Sequence, residues 1–501
     1  MSVLLLLLIP VVATFLVCLP AHRNWAPAVT VASSVSVLAI AARLAWRMAA
    51  GTGTLVVSPV HAGALKWIAV DGLSALILLL VGLVATTASI FSIGYLAHEP
   101  LTPGKRRLYF ANYNLFVFSM LAVPVAAEPT LVWIVVELTT LCSALLVSFE
   151  NTRAALEAAW KYVLLSLMGA GFALFGFLVL FAAMRAAGGG VYTWEGLVAA
   201  GPRMPPVLLQ TAFVFILIGF GTKVGLVPMH TWLPDAHSQA PSPVCALLSG
   251  VETTTVLYVI LRLFPIMRAA PHAHAGAWAM ALGLVSVGTA AFVLLQVRDY
   301  KRMFAFSTVE HMGIILTAVG LGSSAGSYAA MQQIVGHSVT KSFCFFAAGA
   351  VLLAVETREV AKVRGLIRRC PAAGAALVLG ALGITGAPPL ALFLSEFAIL
   401  KAGLSGGRYL VTGLLALFIV IAFFGIMLHV NRIVFGVRVD AAPGGEPAAS
   451  RSGHGAARPF RLPFSCGLAL ALAAVPMLVF GFYIPKPLED LLNLAASALS
   501  R

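Results

Sequence analysis

The sequence predicts an all-α membrane protein that crosses the bilayer many times. Of its 501 residues, 60% are apolar and only 10% are charged, and the mean hydropathy is +0.99. An ordinary soluble domain carries about 25% charged residues. The composition therefore excludes a soluble enzyme, a disordered chain and a disulfide-rich secreted module. Because one span with its connection needs about 30 residues, the length accommodates roughly 12 to 15 spans.

The apolar residues fall into fourteen segments, and we predict about fourteen transmembrane helices from them. Each segment should be helical, because backbone groups that face lipid must pair within their own segment. The segments are 2–20, 27–49, 71–96, 109–127, 129–149, 158–184, 207–229, 241–262, 276–297, 303–322, 326–354, 373–400, 407–435 and 464–485. The first has no basic start and no small-residue cleavage site, so we interpret it as a retained span. A flexible linker is expected over 440–461, and a short amphipathic tail from Lys486.

The basic residues predict the orientation of the chain in a cell inner membrane. If the N-terminus is outside, the inside connections hold 18 Lys and Arg residues and the outside connections hold 9. This bias favours both termini on the outer, periplasmic side and an even number of spans. The net charge of +14 belongs to these short connections and does not indicate nucleic acid. The six cysteines are scattered, which argues against a metal site or disulfides.

Nine ionisable residues lie inside the apolar segments. A charge in mid-bilayer costs a few kcal/mol, so such residues usually face a polar cavity and serve a function. They are Glu137, Lys161, Lys223, Glu252, Glu310, His337, Lys341, Glu396 and His429. The alternatives are a buried pair that only fixes packing or, for Lys161, a side chain that reaches back to the surface. Long apolar flanks favour a function for Glu137, Lys223, Lys341 and Glu396.

Two segments should be broken helices. The seventh contains Gly221–Pro228, followed by His230, and the twelfth contains Gly383–Pro389. Proline removes a backbone donor and clashes with the preceding turn. In transporters, interrupted helices mark the ion path, whereas a plain proline kink is the alternative. The ionisable residue beside each break favours the ion path.

The spacing of the ionisable residues predicts an internal repeat. Glu137 and Glu310 are 173 residues apart, as are Lys223 and Glu396. Segments 4–8 therefore resemble segments 9–13, and an odd number of spans per unit makes the second unit inverted in the membrane. The predicted organisation is spans 1–3 in 1–108, two five-helix repeats in 109–262 and 276–435, and a linker, span 14 and tail in 436–501.

These residues suggest a chain of proton carriers. A buried lysine holds its proton less tightly when desolvated and more tightly beside a carboxylate. Lys223 is thus a candidate switch, and Glu137 its modulator. His337 and Lys341 are four residues apart and share a helix face, so they could relay protons between the broken helices. Glu396 would be the entry or exit group.

Several motifs resemble those of antiporter-like membrane subunits, a family that includes the proton-pumping subunits of respiratory complex I, the large subunits of multi-part cation/proton antiporters and the membrane arms of energy-conserving hydrogenases. The motifs are GFGTKVGLVPMHTWLPDAHSQAPSPVCALLSG (219–250), VDGLSAL (70–76), VELTTLCSALL (136–146), DYKRMFAFSTVEHMGII (299–315), HSVTKSFCFFAAG (337–349) and GAPPLALFLSEFAIL (386–400). Their combination looks most similar to the F component of hydrogenase-4-type complexes.

The resemblance implies roles for residues that match its motifs. Glu137 matches the family's essential glutamate on the fifth helix, and Lys223 matches the lysine on the seventh. Lys341 with His337 matches the central relay, and Glu396 matches the terminal site. His230 lies in the first broken segment, and secondary candidates are Lys161, Glu310, His311 and His429.

The chain departs from the pattern of its relatives on the eighth segment. Complex I relatives often carry a lysine there, at the position of Thr254 in this chain. Glu252 lies nearby and is not part of that pattern. Glu252 either substitutes in the relay or simply pairs with a neighbour.

The function that this resemblance implies is proton translocation in a membrane redox complex, with other membrane subunits and a soluble redox arm as partners. No nucleotide loop, quinone motif or metal cluster is present, so no cofactor and no redox chemistry of the chain's own are expected. The alternatives are a subunit of a multi-part Na⁺ or K⁺/proton antiporter and the membrane partner of an inorganic-carbon uptake complex. A pure anchor is disfavoured, because an anchor gains nothing from buried charges.

Overall fold

A computed structural model describes residues 2–19, 25–51, 67–270, 274–437 and 460–500. Within these ranges the chain is helical and has no strand, and only two isolated antiparallel bridges join Ile68 to Ala126 and Asp299 to Glu359. The expected linker lies outside the described residues except for positions 460 and 461. The same holds for five basic residues of the orientation count, namely Arg23, Lys66, Arg438, Arg451 and Arg458.

The described helices are numbered α1 to α21 along the chain. Those of the first half are α1 (Ser2–Cys18), α2 (Trp25–Ala49), α3 (Gly72–Ala97), α4 (Pro103–Val125), α5 (Pro129–Val147), α6 (Arg153–Ala186), α7 (Trp194–Ala200), α8 (Pro206–Val224), α9 (Trp232–Gln239), α10 (Ser242–Leu247), α11 (Thr253–Leu261) and α12 (Leu263–Ala269). Those of the second half are α13 (Ala275–Leu294), α14 (Tyr300–Gly320), α15 (Ser324–Val355), α16 (Leu366–Arg369), α17 (Pro371–Ile384), α18 (Ala391–Ser405), α19 (Tyr409–Phe435), α20 (Phe464–Val479) and α21 (Lys486–Ser500). A π-helical turn, Leu248–Glu252, joins α10 to α11.

The helices confirm the all-α polytopic fold that the sequence predicts. Every one of the fourteen apolar segments contains a helix, and eleven helices among the described residues are long and apolar enough to cross a membrane. The first, twelfth and fourteenth segments form shorter apolar helices, α1, α17 and α20. The number of spans therefore stays a prediction.

Polar side chains fix where several helices begin. Asp71 accepts a hydrogen bond from the backbone N–H of Ser74 (2.9 Å) at the start of α3, and Thr152 accepts one from Ala155 (3.1 Å) at the start of α6. Asp299 accepts from the N–H groups of Lys301 (2.7 Å) and Arg302 at the start of α14. These contacts satisfy N–H groups that the first helical turn leaves without a partner.

Both predicted helix breaks are present, and both close in the same way. Helix α8 is followed by Gly225 with φ +89°, and Gly386, with φ +64°, lies two residues after the end of α17. In each case the next residue's N–H binds a carbonyl five residues back, Leu226 to Gly221 (2.8 Å) and Ala387 to Leu382 (3.0 Å). A glycine in the left-handed region ends helices in this way because a side chain there is strained. Prolines three residues later prevent the helix from resuming.

The positions of these breaks differ from the simple spacing of the charged residues. The two glycines are 386 − 225 = 161 residues apart, not 173. Lys223 consequently precedes its break by two residues, whereas Glu396 follows its own by ten. The equal spacing of the charges thus does not place them at equivalent points of the two broken helices.

The helices with ionisable residues occupy the centre of the molecule. The most apolar 18-residue stretches of the helical segments differ in their burial inside the protein. This stretch is completely buried in Ser242–Ala269, 94% buried in α14 and 83% buried in α15, but only 28% buried in α19. Glycines allow neighbouring helices to approach closely: a Cβ on Gly219 would collide with α6, and one on Gly313 would collide with α13. The tail forms α21, which packs on α3 and α15 through its apolar face.

Candidate ion path in the core

Lys223 lies at the end of α8, where oxygen atoms accept the hydrogen bonds of its ammonium. Its ammonium donates to the carbonyl of Val136 (2.8 Å) and to the Thr140 hydroxyl, both on α5. The side chain is only 2% exposed, so the broken helix delivers a cation into the protein core. Burying an ion without water is tolerated only when hydrogen bonds and a counter-charge replace its hydration.

The counter-charge is Glu252, the residue that departs from the family pattern. Its Oε1 lies 3.6 Å from the Lys223 Nζ, and the carboxylate is 1% exposed. The same oxygen accepts hydrogen bonds from the hydroxyls of Tyr162 (3.0 Å), Thr139 (3.2 Å) and Ser143 (3.5 Å). Glu252 therefore pairs directly with the lysine of the first broken helix, one of the two alternatives left open by the sequence.

Glu137, the expected modulator of Lys223, is placed differently. Both of its carboxylate oxygens are buried and have no hydrogen-bond partner among the described residues. It remains within Coulombic range of both Lys223 and Glu252. The Glu137 carboxylate can thus accept a hydrogen bond or a proton beside the Lys223–Glu252 ion pair, of which it is not a member.

The π-helical turn Leu248–Glu252 connects the two halves of the site. At one end it carries Glu252, and near the other the carbonyl of Ser249 contacts the His337 Nε2 (3.1 Å) on α15. The Ser249 hydroxyl also lies 2.6 Å from the Thr308 hydroxyl on α14. The five residues of this turn therefore touch the surroundings of both lysines, and π turns often occur at functional sites.

Lys341 repeats the arrangement of Lys223 on the second half. Its ammonium donates to the Phe304 carbonyl and to the Ser307 hydroxyl (2.5 Å), both on α14, and its side chain is fully buried. Glu310 lies on the same helix within Coulombic range of Lys341 and Glu396, and its Oε2 has no hydrogen-bond partner among the described residues.

Beyond Lys341, two histidines lie next among the buried ionisable residues. The rings of His337 and His311 lie 5.3 Å apart between centroids. The Nδ1 of His311 is 3.9 Å from the Oε1 of Glu396, which is 6% exposed on α18. The structure thus brings together His337, His311 and Glu396 as neighbours.

The buried row of ionisable residues consists of Lys223, Glu252, His337, Lys341, His311 and Glu396. Three of the sequence candidates lie apart from this row. Lys161 is half exposed and forms ion pairs with Glu157 (2.6 Å) and Asp235 (3.4 Å), consistent with a surface lysine. His429 binds the Leu294 carbonyl (3.1 Å) between α19 and α13. His230 lies in the first break with its ring 6.1 Å from that of Phe306 on α14.

Sequence reasoning missed Gln333 and Ser395, which connect α15 to α18. Gln333 donates to the Nδ1 of His311 (2.9 Å), and the Ser395 hydroxyl donates to the Gln333 Oε1. Neutral side chains are inconspicuous in an apolar segment. The available signal was spacing, because Gln333, His337 and Lys341 follow at intervals of four on one helix face.

A further ion pair that the sequence did not predict joins Arg262 to Asp71. It lies at the opposite end of the molecule from α9. Arg262 donates to both carboxylate oxygens of Asp71, with one distance at 2.7 Å, and to the Ser74 hydroxyl (2.9 Å). Burial alone would raise the pKa of Asp71, but the charge and hydrogen bonds of Arg262 lower it below its usual 3.8. A cavity of about 560 Å³, lined in part by both residues and by α21, opens beside this pair.

The fold and the buried row define a polytopic membrane subunit that carries ionisable groups through its core. The chain belongs to the NADH:quinone oxidoreductase/Mrp antiporter family of membrane proteins, whose transmembrane model matches residues 126–424. A second model, the N-terminus of chain 5 of NADH-ubiquinone oxidoreductase (complex I), matches residues 67–107.

Individual relatives agree with this assignment. The chain is 38% identical over 383 residues to a protein of Methylacidiphilum infernorum named hydrogenase-4 component F homolog, covering 75% of this chain and 80% of that one. Its fold is similar to a chain of an archaeal membrane-bound sulfane sulfur reductase (TM-score 0.86, 22% identity, 99% and 97% of the two chains covered). It is also similar to a chain of the Mrp complex from Dietzia sp. DQ12-45-1b (TM-score 0.85, 20% identity, 100% and 97% covered).

Proposed function

We propose that this chain translocates protons as a membrane subunit of an energy-converting redox complex of the hydrogenase-4 or complex I type. The observation that carries the proposal is the buried row of ionisable side chains between the two broken helices. Lys223 pairs with Glu252 at 3.6 Å, the π turn contacts His337, and His311 lies 3.9 Å from Glu396. A protein that only anchored its partners would gain nothing from this expensive arrangement.

Each lysine in the row can act as a switch. The ammonium of Lys223 and that of Lys341 each bind a carbonyl and a hydroxyl, and each becomes neutral when it releases its proton. When Lys223 discharges, the buried carboxylate of Glu252 loses its counter-charge, so the charges of these two residues change the site together. The Glu137 carboxylate has no hydrogen-bond partner among the described residues and is available to accept a proton from Lys223 when that lysine discharges. A change in the protonation of Lys223 then changes the proton affinity of the ionisable residues around Lys341, because the π turn contacts both sites.

Substitution of the first lysine tests the proposal. The complex, purified with its partner subunits, is reconstituted in vesicles with a trapped pH-sensitive dye, and a potassium diffusion potential drives proton flux. We expect Lys223→Met to abolish the flux while the complex still assembles. Lys161→Met, at a half-exposed surface lysine, is the matched control and should keep the flux. Normal flux in Lys223→Met would refute the assigned switch.

The partner complex is part of the proposal and has its own test. The name of the Methylacidiphilum infernorum relative supports a hydrogenase-like assembly. We expect gentle purification in mild detergent, followed by mass spectrometry, to recover other membrane subunits and a soluble arm with metal clusters. Recovery of small antiporter subunits alone, or of a lone soluble zinc protein, would contradict the redox assignment.

A cation/proton antiporter subunit is the second candidate, and the setting of Lys223 favours it. The Val136 carbonyl, the Thr140 hydroxyl and the Glu252 carboxylate are oxygen ligands of the kind that bind Na⁺ in transporters. In this case Na⁺ added at an unchanged K⁺ gradient should change the proton flux, as should K⁺ when another ion sets the potential, whereas the redox-complex proposal expects no dependence on either ion.

The orientation and internal organisation extend the proposal. We place the chain in the inner membrane with both termini outside and with two inverted five-helix repeats, 109–262 and 276–435, between 1–108 and 436–501. The similar closure of the two breaks at Gly225 and Gly386 supports the repeat. The loops near Asp299 and Arg358 lie together, since Asp299 and Glu359 form an antiparallel bridge, which supports a shared basic face. Cysteine labelling at Val437 and Gly407, which the proposed topology places on opposite faces, tests the orientation.

A further inference from the structure

The two histidines of the path share one tautomer but differ at their second nitrogen. A carbonyl oxygen can only accept, so the Nε2 of His337 donates to Ser249 (3.1 Å) and the Nε2 of His311 donates to Ile384 (2.9 Å). In both rings Nδ1 therefore carries the lone pair that can take a proton. The Nδ1 of His337 has no partner among the described residues, whereas that of His311 is occupied.

The group that occupies His311 is the side-chain amide of Gln333. An amide NH₂ can only donate, so its N–H points at the Nδ1 lone pair of His311 over 2.9 Å. Its oxygen accepts from the hydroxyl of Ser395, the residue before Glu396. A fully buried neutral side chain thus links the last histidine to the neighbour of the terminal glutamate, and while it donates to Nδ1, His311 cannot take a proton there.

We propose that the Gln333 amide is a gate in this path, and that its rotation by half a turn accompanies each proton that passes from His311 to Glu396. This inference rests on the proposed function and adds a residue to it. In the closed state Gln333 donates to neutral His311. In the open state the ring is protonated at Nδ1, and this N–H donates to the rotated Oε1 of Gln333.

The surrounding hydrogen bonds are satisfied in both states. When the amide rotates, its NH₂ faces the Ser395 oxygen, and the Ser395 hydroxyl proton turns to the Leu392 carbonyl, which already lies 3.0 Å away. The amide and the Ser395 hydroxyl each keep a hydrogen-bond partner in both orientations, so the rotation of the amide does not itself carry the penalty of an unmade hydrogen bond. Ser395 is the element that makes the two orientations comparable in free energy.

The rotation also acts on the acceptor of the proton. In the closed state the Gln333 NH₂ faces His311, whose Nδ1 lies 3.9 Å from the Glu396 Oε1, whereas in the open state the amide oxygen takes that place near the carboxylate. An oxygen facing a carboxylate favours its protonated form. The Nδ1–H group of His311 then leaves the Gln333 oxygen as Glu396 closes the 3.9 Å gap to hydrogen-bond distance, and the proton passes from Nδ1 to Glu396 Oε1. The ring becomes neutral, and the amide returns to its first orientation.

Other charges face the same ring and set the direction of transfer. His337 and Lys341 on α15 lie on the side from which the proton arrives, and Glu310 precedes His311 on α14. Glu396 on α18 is the carboxylate on the far side. A cation at Lys341 disfavours a second positive charge on His311, so His311 is expected to charge after Lys341 has discharged.

Two substitutions at one position test the gate in the vesicle assay. Gln333→Leu removes both orientations, and we expect the flux to fall by about tenfold or more. Gln333→Glu has nearly the same shape, and its carboxyl changes from acceptor to donor by gaining a proton instead of rotating. We expect Gln333→Glu to keep the flux within about threefold of wild type but to change its pH profile, because a new titrating group enters the path.

Controls on the same helices separate the gate from packing. Ser395→Ala should lower the flux because the amide loses the partner that serves both orientations. Ser338→Ala removes a buried hydroxyl of α15 that has no hydrogen-bond partner among the described residues, and should leave the flux unchanged. Infrared difference spectra of wild type between high and low pH should contain a side-chain amide band that Gln333→Leu lacks.

The outcomes distinguish this inference from the function on which it rests. Wild-type flux in Gln333→Leu, or an equal loss in Gln333→Leu and Gln333→Glu, overturns the gate. If Gln333→Leu does not assemble, Gln333→Glu decides alone: retained flux with a changed pH profile supports the gate, and lost flux overturns it. Full flux in Lys223→Met would instead refute proton translocation through this row, whatever the Gln333 variants do.

Discussion

The identity of the Lys223 counter-ion can be tested by a double-mutant cycle. At 3.6 Å, two unit charges in an environment of effective dielectric constant about 20 attract each other by about 4–5 kcal/mol. Removing one partner of such a buried pair leaves an uncompensated charge and costs about 3–5 kcal/mol. Lys223→Met and Glu252→Gln should therefore each destabilise the protein strongly. The double variant should recover much of that loss, because no lone charge remains.

The comparison pair is Lys223 with Glu137, whose carboxylate does not complete the ion pair. Glu137→Gln should destabilise little, since its oxygens have no hydrogen-bond partner to lose among the described residues. Combined with Lys223→Met it should be closer to additive, within about 0.5 kcal/mol for weakly interacting sites. A larger coupling for Glu137 than for Glu252 would refute the pairing and return Glu137 to the role that the family resemblance implies.

The assay can use the protein's own cysteines. Five of the six are buried and only Cys18 is exposed, so a thiol-reactive dye reports unfolding of the detergent-solubilised complex as temperature rises. The midpoints of wild type, the single variants and the double variants then give both cycles from one measurement. Vesicle flux of Glu252→Gln completes the test, and we expect it to be lost together with the ion pair.

Two further predictions concern the second break and the ion pair at the opposite end. Gly386→Ala should reduce the proton flux by at least about tenfold, because an alanine at φ +64° is strained and its Cβ would overlap the Glu396 carboxylate. The control is Gly413→Ala, which should leave the flux unchanged because a Cβ there meets nothing within 4 Å. Because the pKa of Asp71 is lowered in the folded protein, its ion pair with Arg262 stabilises above the unfolded pKa and is lost as pH falls through the folded one. Asp71→Asn should therefore lower the unfolding midpoint near pH 7 and flatten its acid dependence; an acid dependence unchanged by Asp71→Asn would contradict this assignment.

The sequence was sufficient to predict the helices and their breaks. Runs of apolar residues leave the backbone no alternative to helix in a bilayer, so all fourteen segments contain helices. The breaks followed from glycine and proline, whose backbone constraints are local and act in any context. Membership of the row could be predicted in part, since Lys223, Lys341 and Glu396 are too costly to bury without a purpose.

Pairing within the site could not be predicted, because it depends on tertiary geometry. Glu137 and Glu252 are both buried acids near Lys223, and only the packing of α5, α6 and the π turn decides which carboxylate approaches the ammonium. Lys161 is exposed because it faces Asp235 from another helix, which no local pattern reveals. Gln333 carries no charge, so a search for costly residues passes over it.

The π turn at Leu248–Glu252 has a consequence for the evolution of this chain. Relative to an ordinary helix, such a turn contains one surplus residue, and deleting one residue would restore regular winding. Because the wider turn absorbs the surplus residue, the helix after it keeps nearly the same facing with or without that residue. What changes is the direction of the side chains within the turn, among them Glu252 beside Lys223. A single codon gained or lost here therefore alters one carboxylate beside the first lysine and leaves the packing of α11 in place.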